Sequence, residues 1–360
     1  MAYVAARGGE HAILRAEQFY RMLNGPLDQA FIQRIVASMP YLVDRVMGEG
    51  SLYAPDLAAL ALAQTGGDLY EAVLLLRAYR STQPRLAYAE PISAAAMLTV
   101  RRISAAFKDI PGGQYLGPTL DYTHRLLHIG TLDGLADDRL PAADDEAAPD
   151  EQPSPAATPP GELPPVAGWL RLNGLLAALP PLPPPDPAAL PDVTRDPIRF
   201  PAPRAHRLQS LARADTGGVL ALGYASMRSY GLIHPTVNEV RVGFAEVRLR
   251  HPVTGALFSA GRVRLSYAEV VSSTGQRLEI GFAATVGWNE VKVIAAAMLD
   301  LEMNQPDPHP AHREEFVLYH TEPVEASGFC IHYKLPHYVT FSSTLDSLRR
   351  ARDAADPMTE

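Results

Sequence analysis

Hydrophobic residues recur at helical spacing through the first hundred residues of the chain. They lie on one face of an expected helix over Glu10–Leu23, and the same spacing predicts a second helix over Leu27–Ser38. Pro40 is expected to close or kink that helix. Pro55 suits the first turn of a further helix, and Asp68 suits the N-cap of the next one. The first part of the chain is therefore predicted to be mainly helical.

The second half of the chain changes from helical spacing to alternation. Apolar and polar residues alternate over 240–244 and 262–267, which predicts antiparallel strands with one solvated face. The alternation slips by one residue near Ala245-Glu246, as at a β-bulge. Asn289 is expected to cap a helix from Glu290 to about Met303. Four residues of that helix are expected to face inward: Val291, Ile294, Met298 and Leu301. Helices followed by strands and a helix predict an α+β fold.

A proline-rich, acidic insertion separates the two halves. Residues 141–191 hold 15 of the 33 prolines, and proline at this density cannot sustain a helix or a sheet. The acidic, aromatic-poor composition also provides little to bury. We therefore divide the chain into a helical region at 1–140, a disordered or extended insertion at 141–191, and an α+β region at 192–360. Within the insertion, Val166–Leu179 is apolar enough to dock as a short helix.

The distribution of charge argues against a general nucleic-acid-binding protein. The formal net charge is -8 at pH 7. Residues 131–162 contain nine acidic residues and one basic residue, so this segment accounts for the whole excess and the remainder nets zero. A body without a basic excess lacks the electrostatic footprint of nucleic-acid binding, although it can contain a local cationic pocket.

Cysteine usage and hydropathy indicate the compartment. The single cysteine, Cys330, excludes an intrachain disulfide framework and fits a reducing environment. The opening sequence MAYVAARGGEHAI has no apolar run long enough for a secretory signal. No stretch reaches the roughly 20 apolar residues of a membrane span. We expect a cytoplasmic protein without a membrane segment.

The segment with the most candidate chemistry is 101–127, RRISAAFKDIPGGQYLGPTLDYTHRLL. Gly112 and Gly113 permit a close approach of the backbone to a ligand. Cationic residues flank them: Arg101, Arg102, Lys108 and Arg125. This combination suits an anionic substrate such as a nucleotide. An ordinary loop with solvated charges explains the same residues, and the phosphate-loop spacings GxxxxGK[ST] and GxGxxG are absent.

The end of this segment is expected to form a short helix over Asp121–His128. On a helix, Asp121, His124 and Arg125 share one face. The acid can orient the imidazole and raise its pKa for proton transfer, or the three residues form a plain surface group. On the helix that follows Asp68, Arg77 and Arg80 are interpreted as a solvated or ion-paired face, with phosphate binding as the alternative.

A histidine pair occurs near the end of the chain. His332 and His337 lie on different faces of a helix or a straight strand, so they converge only if the chain turns between them. Zinc binding would also need further ligands, from His320, Cys330 or another subunit. Spacing alone therefore favours two independent histidines.

Five blocks of sequence, in order, resemble one known family. They are YVAARGGEHAI, LAALALAQTGGDLYEAVLLLRAYR, RRISAAFKDIPGGQYLGPTLDYTHRLL, EEFVLYH and GFCIHYKLPHYVTF. Together they are similar to the PhnI family, a subunit of the bacterial carbon–phosphorus lyase core complex. The resemblance covers most of the chain and fails mainly in the proline-rich insertion.

The resemblance implies a role in phosphonate catabolism. With its partner subunits, the family replaces the adenine of MgATP by methylphosphonate at the anomeric carbon of the ribose. The product is α-D-ribose 1-methylphosphonate 5-triphosphate. Alone, such a subunit is expected to be a nucleosidase on ATP or GTP, with water as nucleophile. The implied partners are PhnG, PhnH and the radical lyase PhnJ, with PhnL for activity, and two copies of this subunit per complex.

The resemblance also implies a zinc site. The family's zinc-binding histidine pair, shared with PhnJ at the subunit interface, falls on His332 and His337. This implication reverses the interpretation from spacing, because the neighbouring subunit supplies the missing ligands.

The roles in ribosyl transfer are our own hypothesis. Departure of adenine builds oxocarbenium character on the ribose, so a carboxylate would stabilise it and an acid would protonate the base. We assign Asp109 or Asp121 as the carboxylate and His124 as the acid. The anion contacts are expected from the cations and glycines of the segment: Arg101, Arg102, Lys108, Gly112, Gly113 and Arg125.

Three alternatives remain beside this hypothesis. Ribosyl transfer can instead take place at the zinc histidines, or the zinc can serve only the later lyase step. From a different class of protein, the chain can be a non-catalytic scaffold that holds the partner subunits. A nucleotide-sensing module is a third reading of the same residues.

Overall fold

Five helices open the part of the chain that the computed structural model describes: α1 (Gly9–Asn24), α2 (Gln29–Ser38), α3 (Pro40–Gly50), α4 (Pro55–Gln64) and α5 (Leu69–Ser81). The structure describes residues 8–134, 163–177, 186, 189–225, 227–228, 235–273, 275–334 and 338–355. Side-chain caps begin two of these helices. Asp28 accepts the amide of Phe31, and Asp68 accepts those of Tyr70 and Glu71. The predicted helical amino-terminal region is thus confirmed.

Prolines fix the starts of two of these helices. Pro40 lies in the first turn of α3 and Pro55 in the first turn of α4, where the missing amide costs no hydrogen bond. Pro40 therefore closes α2 by beginning the next helix. Helices α2 to α5 bury an apolar cluster that includes Val43, Leu62 and Leu76. Helix α1 has no buried residue.

Four antiparallel strands form one sheet in the described part of the chain, in the order β1 (Leu98–Ile103), β2 (Thr236–Arg250), β3 (Leu257–Ser273) and β4 (Leu278–Val286). Strand β1 comes from the amino-terminal half and pairs with β2, so both halves of the chain contribute to the sheet. The predicted bulge is confirmed, because the pairing shifts between Glu246 and Arg248. A second shift occurs between Val237 and Glu239.

The sheet has two covered faces over half its length. Residues 238–243 of β2 and 266–272 of β3 are buried without interruption, and alternation with exposed residues persists only over 246–250. The prediction of one solvated face is therefore wrong for the buried half. The loop after β1 and the helix α6 (Val166–Leu172) cover that face. Charged side chains of the strands consequently lie in the protein interior.

The remaining helices are α7 (Arg204–Arg213), α8 (Thr216–Ala225), α9 (Glu290–Met303), α10 (Glu314–His320), α11 (Pro323–His332) and α12 (Tyr338–Ala355). Helix α9 packs between the sheet and α8. Gly281 of β4 permits this contact, since a Cβ there would lie 2.1 Å from the carbonyl oxygen of Ala297. Three of the residues expected inward contact the core: Ile294, Met298 and Leu301.

The fourth residue expected inward is not buried. Val291 is 59% exposed, whereas Val293 is buried. Because the sheet and α8 cover α9 from two directions, its buried surface is broader than the single stripe assumed from helical spacing.

The α+β class is confirmed by this arrangement of helices and one antiparallel sheet. Helix α6 confirms the short helix expected within Val166–Leu179, although it ends at Leu172. The rest of the expected disordered insertion lies largely outside the described residues, which omit 135–162 and most of 178–188. None of the helices in the described ranges has the length and hydropathy needed to cross a membrane.

Candidate functional site

The glycine turn of the segment 101–127 is held from below by a buried arginine. Arg102, on β1, is fully buried. Its Nη1 donates to the carbonyl oxygens of Pro111 at 2.6 Å and Gly113 at 3.1 Å, and its Nη2 donates to that of Pro164 at 3.0 Å. Its Nε donates to Glu239 at 2.5 Å. The guanidinium group of Arg102 therefore fixes the backbone of the turn.

The neighbouring arginine fixes the second part of the loop. Arg101 is 3% exposed. Its Nη1 donates to the carbonyl oxygen of Leu116 at 2.6 Å and its Nη2 to Asp121 at 2.7 Å. Its Nε donates to Glu290, the first residue of α9, at 2.5 Å. All three nitrogen atoms of this side chain thus have acceptors within the chain.

The two glycines of the turn have different surroundings. Both have positive φ angles, 84° at Gly112 and 78° at Gly113. A Cβ at Gly112 would lie 2.6 Å from Leu163 and 3.1 Å from Arg102, whereas a Cβ at Gly113 would meet nothing within 4 Å. Gly112 is therefore required for packing against the protein, and Gly113 faces open space.

The predicted helix over Asp121–His128 is wrong. The chain makes a turn at Leu120–Thr123, and Arg125 has a φ of 53°, in the left-handed region that ends a helix. The next helical segment is a 3₁₀ turn at Ile129–Asp133. Tertiary contacts override the local spacing, because Asp121 is drawn to the buried Arg101. Asp121 and His124 therefore do not share a helical face.

Five predicted site residues form the exposed part of this loop: Lys108, Asp109, Asp121, His124 and Arg125. Asp121 accepts from Arg125 at 3.1 Å, so these two side chains are brought together. The backbone at Lys108 is braced by Gln114, whose amide nitrogen donates to its carbonyl oxygen at 2.8 Å. Within the described part of the chain, no hydrogen bond or ion pair joins Asp109 or His124 to the other three residues. The predicted residues thus divide into a buried supporting pair and an exposed rim.

A buried carboxylate beneath the loop was not identified from the sequence. Glu239 accepts from Arg102, from Arg241 Nη2 at 2.6 Å, from Tyr267 Oη at 2.9 Å and from the amide of Val166 at 3.1 Å. Burial opposes ionisation of Glu239, but Arg241 and Arg102 hold its pKa below the usual value. The only signal in the sequence is a run of charged residues on a strand, which normally indicates a solvated face.

A second carboxyl group lies next to this network. Glu269 accepts from Asn238 at 2.8 Å and from the amide of Ala167 at 3.2 Å. Burial, reinforced by the charge of Glu239, raises the pKa of Glu269 to about 7. Glu239 is therefore ionised more readily than Glu269, although each accepts a backbone amide of α6.

The histidine pair is only partly within the described residues. His332 is the last residue of α11, while His337 lies outside the described ranges. Nδ1 of His332 contacts the carbonyl oxygen of Phe329. A carbonyl oxygen only accepts, so Nδ1 is the donor in this contact, and contacts of this kind orient metal-ligating imidazole rings. No group of three metal-ligating side chains is found where the chain is described.

Comparison with known proteins finds relatives over nearly the whole chain. The family model described as PhnI, bacterial phosphonate metabolism protein, matches residues 2–355. The putative C-P lyase subunit protein HtxH of Stutzerimonas stutzeri is 43% identical over 377 residues, which covers 99% of this chain and 97% of that protein.

Two further relatives carry the name alpha-D-ribose 1-methylphosphonate 5-triphosphate synthase subunit PhnI. The protein of Rhizobium meliloti (strain 1021) is 40% identical over 369 residues, covering 98% of this chain and 96% of the relative. That of Escherichia coli (strain K12) is 40% identical over 363 residues, covering 97% of this chain and 98% of the relative.

Proposed function

Because the chain belongs to the PhnI family of bacterial phosphonate metabolism proteins, we propose that it is a catalytic subunit of a carbon–phosphorus lyase system. In the proposed reaction, methylphosphonate displaces adenine from MgATP and gives α-D-ribose 1-methylphosphonate 5-triphosphate. When water replaces the phosphonate, the subunit acts alone as a nucleosidase on ATP or GTP. The observation that supports this most strongly is 40% identity, over almost the full length, to two relatives that are named as a subunit of the synthase for this product.

The exposed rim of the glycine loop is the proposed ribosyl-transfer site. Asp109 or Asp121 stabilises the oxocarbenium-like ribose, and His124 donates a proton to the departing adenine. Lys108 and Arg125 bind anionic oxygens of the triphosphate or the phosphonate. These side chains are all exposed, so a substrate of this size has access to them.

The two buried arginines have a supporting role in this proposal. Arg101 and Arg102 were expected to contact the anion directly, but their guanidinium groups donate to loop carbonyls and carboxylates of the chain itself. They hold Gly112 and Gly113 in place, so that the backbone at the open side of Gly113 is positioned before substrate binds. Rigid positioning of this kind lowers the entropic cost of reaching the transition state.

Zinc is proposed to bind at His332 and His337, with the remaining ligands from the lyase partner PhnJ. The Nδ1 contact of His332 with the carbonyl oxygen of Phe329 fits this role, since backbone carbonyl groups commonly orient the imidazole rings that bind metals. A bound zinc ion would supply Lewis acidity or join the two subunits. Placement of ribosyl transfer at these histidines is the alternative to the glycine loop.

A multisubunit assembly is proposed because the relatives are named as subunits. The proposed partners are PhnG, PhnH, PhnJ and PhnL, with two copies of this chain in the complex. A purely structural role is the second candidate function. It is favoured by α1, which buries no residue and leaves Phe19, Met22 and Leu23 mostly exposed, as a subunit contact surface would.

Release of free adenine tests the proposed activity. The purified chain is incubated with MgATP, with and without its partner subunits and methylphosphonate, and adenine is quantified by chromatography. We expect adenine from the chain alone, and the ribosyl methylphosphonate product only in the assembled system. Absence of adenine in both samples would support the scaffold and contradict the enzyme.

The assigned carboxylates are tested by single substitutions. Asp109→Asn and Asp121→Asn are compared with Asp353→Asn, which alters an exposed aspartate of α12. Replacement of the stabilising carboxylate is expected to lower adenine release by about 100-fold or more, and the control substitution is expected to have no effect. Unchanged release in both test variants would move the reaction away from the glycine loop.

Removal of the metal distinguishes the two proposed locations of ribosyl transfer, the glycine loop and the histidine pair. If ribosyl transfer takes place at the glycine loop, chelation of zinc leaves adenine release intact and stops only carbon–phosphorus cleavage. Loss of adenine release on chelation, restored by added zinc, would instead favour the histidine pair as the ribosyl-transfer site.

A further inference from the structure

A cationic cleft lies away from the glycine loop, between the end of α5 and the segment before α7. The cavity has a volume of about 450 Å³, within the range of roughly 300–1,000 Å³ that is usual for small-molecule sites. Three arginines contribute to its lining, Arg80, Arg85 and Arg195, together with the polar side chains of Gln83 and Thr194.

Within the described residues, one carboxylate contacts any of these three arginines, and it reaches two of them. Asp192 accepts from Arg85 Nη2, and it lies 3.9 Å from Arg195 Nε. Thr194 donates to the same carboxylate through its amide at 3.0 Å and its hydroxyl at 2.5 Å. Although burial acts against it, these hydrogen bonds and Arg85 keep the pKa of Asp192 below its usual value. Asp192 is therefore ionised and still leaves a net positive cleft.

Arg80 is the arginine that this carboxylate does not satisfy. Its side chain makes no hydrogen bond or ion pair within the described part of the chain, and it is half-buried. Burial and the charge of Arg85 lower the pKa of its guanidinium group, against a smaller opposing effect of Asp192. Nε of Arg85 is also buried without an acceptor. Two cationic side chains thus retain donors that an anion could satisfy.

The neighbouring ion pair at Arg77 and the end of α5 do not supply the missing negative charge. Arg77, which was interpreted as part of a solvated or ion-paired face, pairs with Glu322, but Arg213 shares that same carboxylate. The carbonyl end of α5 lies at the cleft and carries about half a negative charge. This partial charge offsets only a fraction of the positive excess around Arg80.

The cleft is separate from the glycine loop. On β2, Leu249 lines the cleft, whereas Arg241 lies beneath the loop, opposite Arg102 in the strand pairing of β1 and β2. The eight residue steps along the strand from Arg241 to Leu249 span roughly 25 Å at about 3.3 Å per step. A small ligand in the cleft therefore does not contact the proposed ribosyl-transfer site.

We propose that this cleft binds the phosphoryl group of a phosphorylated small molecule, with Arg80, Arg85 and Arg195 as its contacts. Guanidinium groups match the oxygens of a tetrahedral phosphate in a bidentate manner. The cavity exceeds the size of inorganic phosphate, so the remainder of the ligand occupies the space beside Leu52 and Leu249. The inference does not depend on the proposed enzymatic function.

Binding of inorganic phosphate and ribose 5-phosphate to the full-length chain tests this inference. Dissociation constants are measured by titration calorimetry for the unaltered chain and for Arg80→Gln, Arg80→Lys and Arg195→Gln. Arg349→Gln is the matched control, because Arg349 is an exposed arginine paired with Asp346 on α12. Potassium chloride at matched ionic strength corrects for screening.

Arg80→Gln is expected to weaken ribose 5-phosphate binding by about tenfold or more. Arg80→Lys is expected to restore part of it, and the control to match the unaltered chain. Without ligand, Arg80→Gln should not lower the unfolding temperature, since Arg80 lies near the like charges of Arg85 and Arg195. Ligand should raise the unfolding temperature of the unaltered chain but not of this variant.

Two results would overturn the inference. The first is a ribose 5-phosphate affinity that is unchanged in both Arg80→Gln and Arg195→Gln. The second is absence of binding of both ligands by the unaltered chain. Loss of partner-subunit association in Arg80→Gln would then assign the cleft to a protein interface.

Discussion

Replacing Glu239 by glutamine is the sharpest test of the network beneath the glycine loop. The substitution keeps the shape of the side chain and removes its charge. The two guanidinium groups of Arg102 and Arg241, both fully buried, then lose the carboxylate that they share. The amide group of glutamine also places donors opposite donors, because Tyr267 and the amide of Val166 donate to the same carboxylate.

The expected cost follows from this geometry. Removing one partner of a buried ion pair typically costs about 3–5 kcal/mol, because the remaining charge is left without compensation. We expect Glu239→Gln to lower the free energy of unfolding by that amount, out of the roughly 5–15 kcal/mol that a folded protein has. The loop at 104–117 should become susceptible to proteolysis, since its carbonyl oxygens depend on Arg102.

Urea unfolding followed by far-ultraviolet circular dichroism measures the change in free energy. Glu246→Gln is the matched control, because it makes the same substitution at an exposed position of the same strand. We expect this control to remain within about 0.5 kcal/mol of the unaltered chain. Equal unfolding free energies for the two variants would refute the role of Glu239 as the shared counterion.

Three further predictions concern other parts of the site. Gly112→Ala should lower the free energy of unfolding by about 1–3 kcal/mol in chemical unfolding, and by more than Gly113→Ala does. The reason is that only a Cβ at Gly112 would meet Leu163, at 2.6 Å. Equal costs for the two substitutions would contradict this packing. Burial raises the pKa of Glu269 from an ordinary 4.5 to about 7. The protonated side chain therefore contributes stability that is fully present below pH 4.5 and is lost as the pH rises through 7. The change in the free energy of unfolding is up to about 3 kcal/mol. Urea midpoints at pH 5 and 8 should therefore differ less in Glu269→Gln than in the unaltered chain, and an unchanged difference would argue against this titration. His332→Ala should lower the zinc content of the purified complex by elemental analysis, and full zinc occupancy would remove His332 from the ligand set.

Local sequence signals determined most of the secondary structure. Asp68 caps α5 and Pro55 begins α4, as the sequence predicts. Asn289 holds the predicted position before α9, but its side chain makes no capping hydrogen bond and donates to the carbonyl oxygens of Asp44 and Val286. The bulge near Glu246 is likewise visible as a slip in alternation. These features depend on a few adjacent residues, because capping, proline geometry and strand periodicity act within one or two turns. The family resemblance also rests on contiguous blocks of sequence.

The tertiary structure alone decided which charges are buried and what they hold. Arg102 and Glu239 are 137 positions apart in the chain, and no local pattern indicates that they meet. Nor does periodicity show that a loop and α6 cover the polar face of β2, or that Arg101 draws Asp121 out of a helix. A charged residue on a strand looks the same in sequence whether water or protein faces it. Burial depends on elements that return from distant parts of the chain, and so does the distinction between the supporting arginines and the exposed rim.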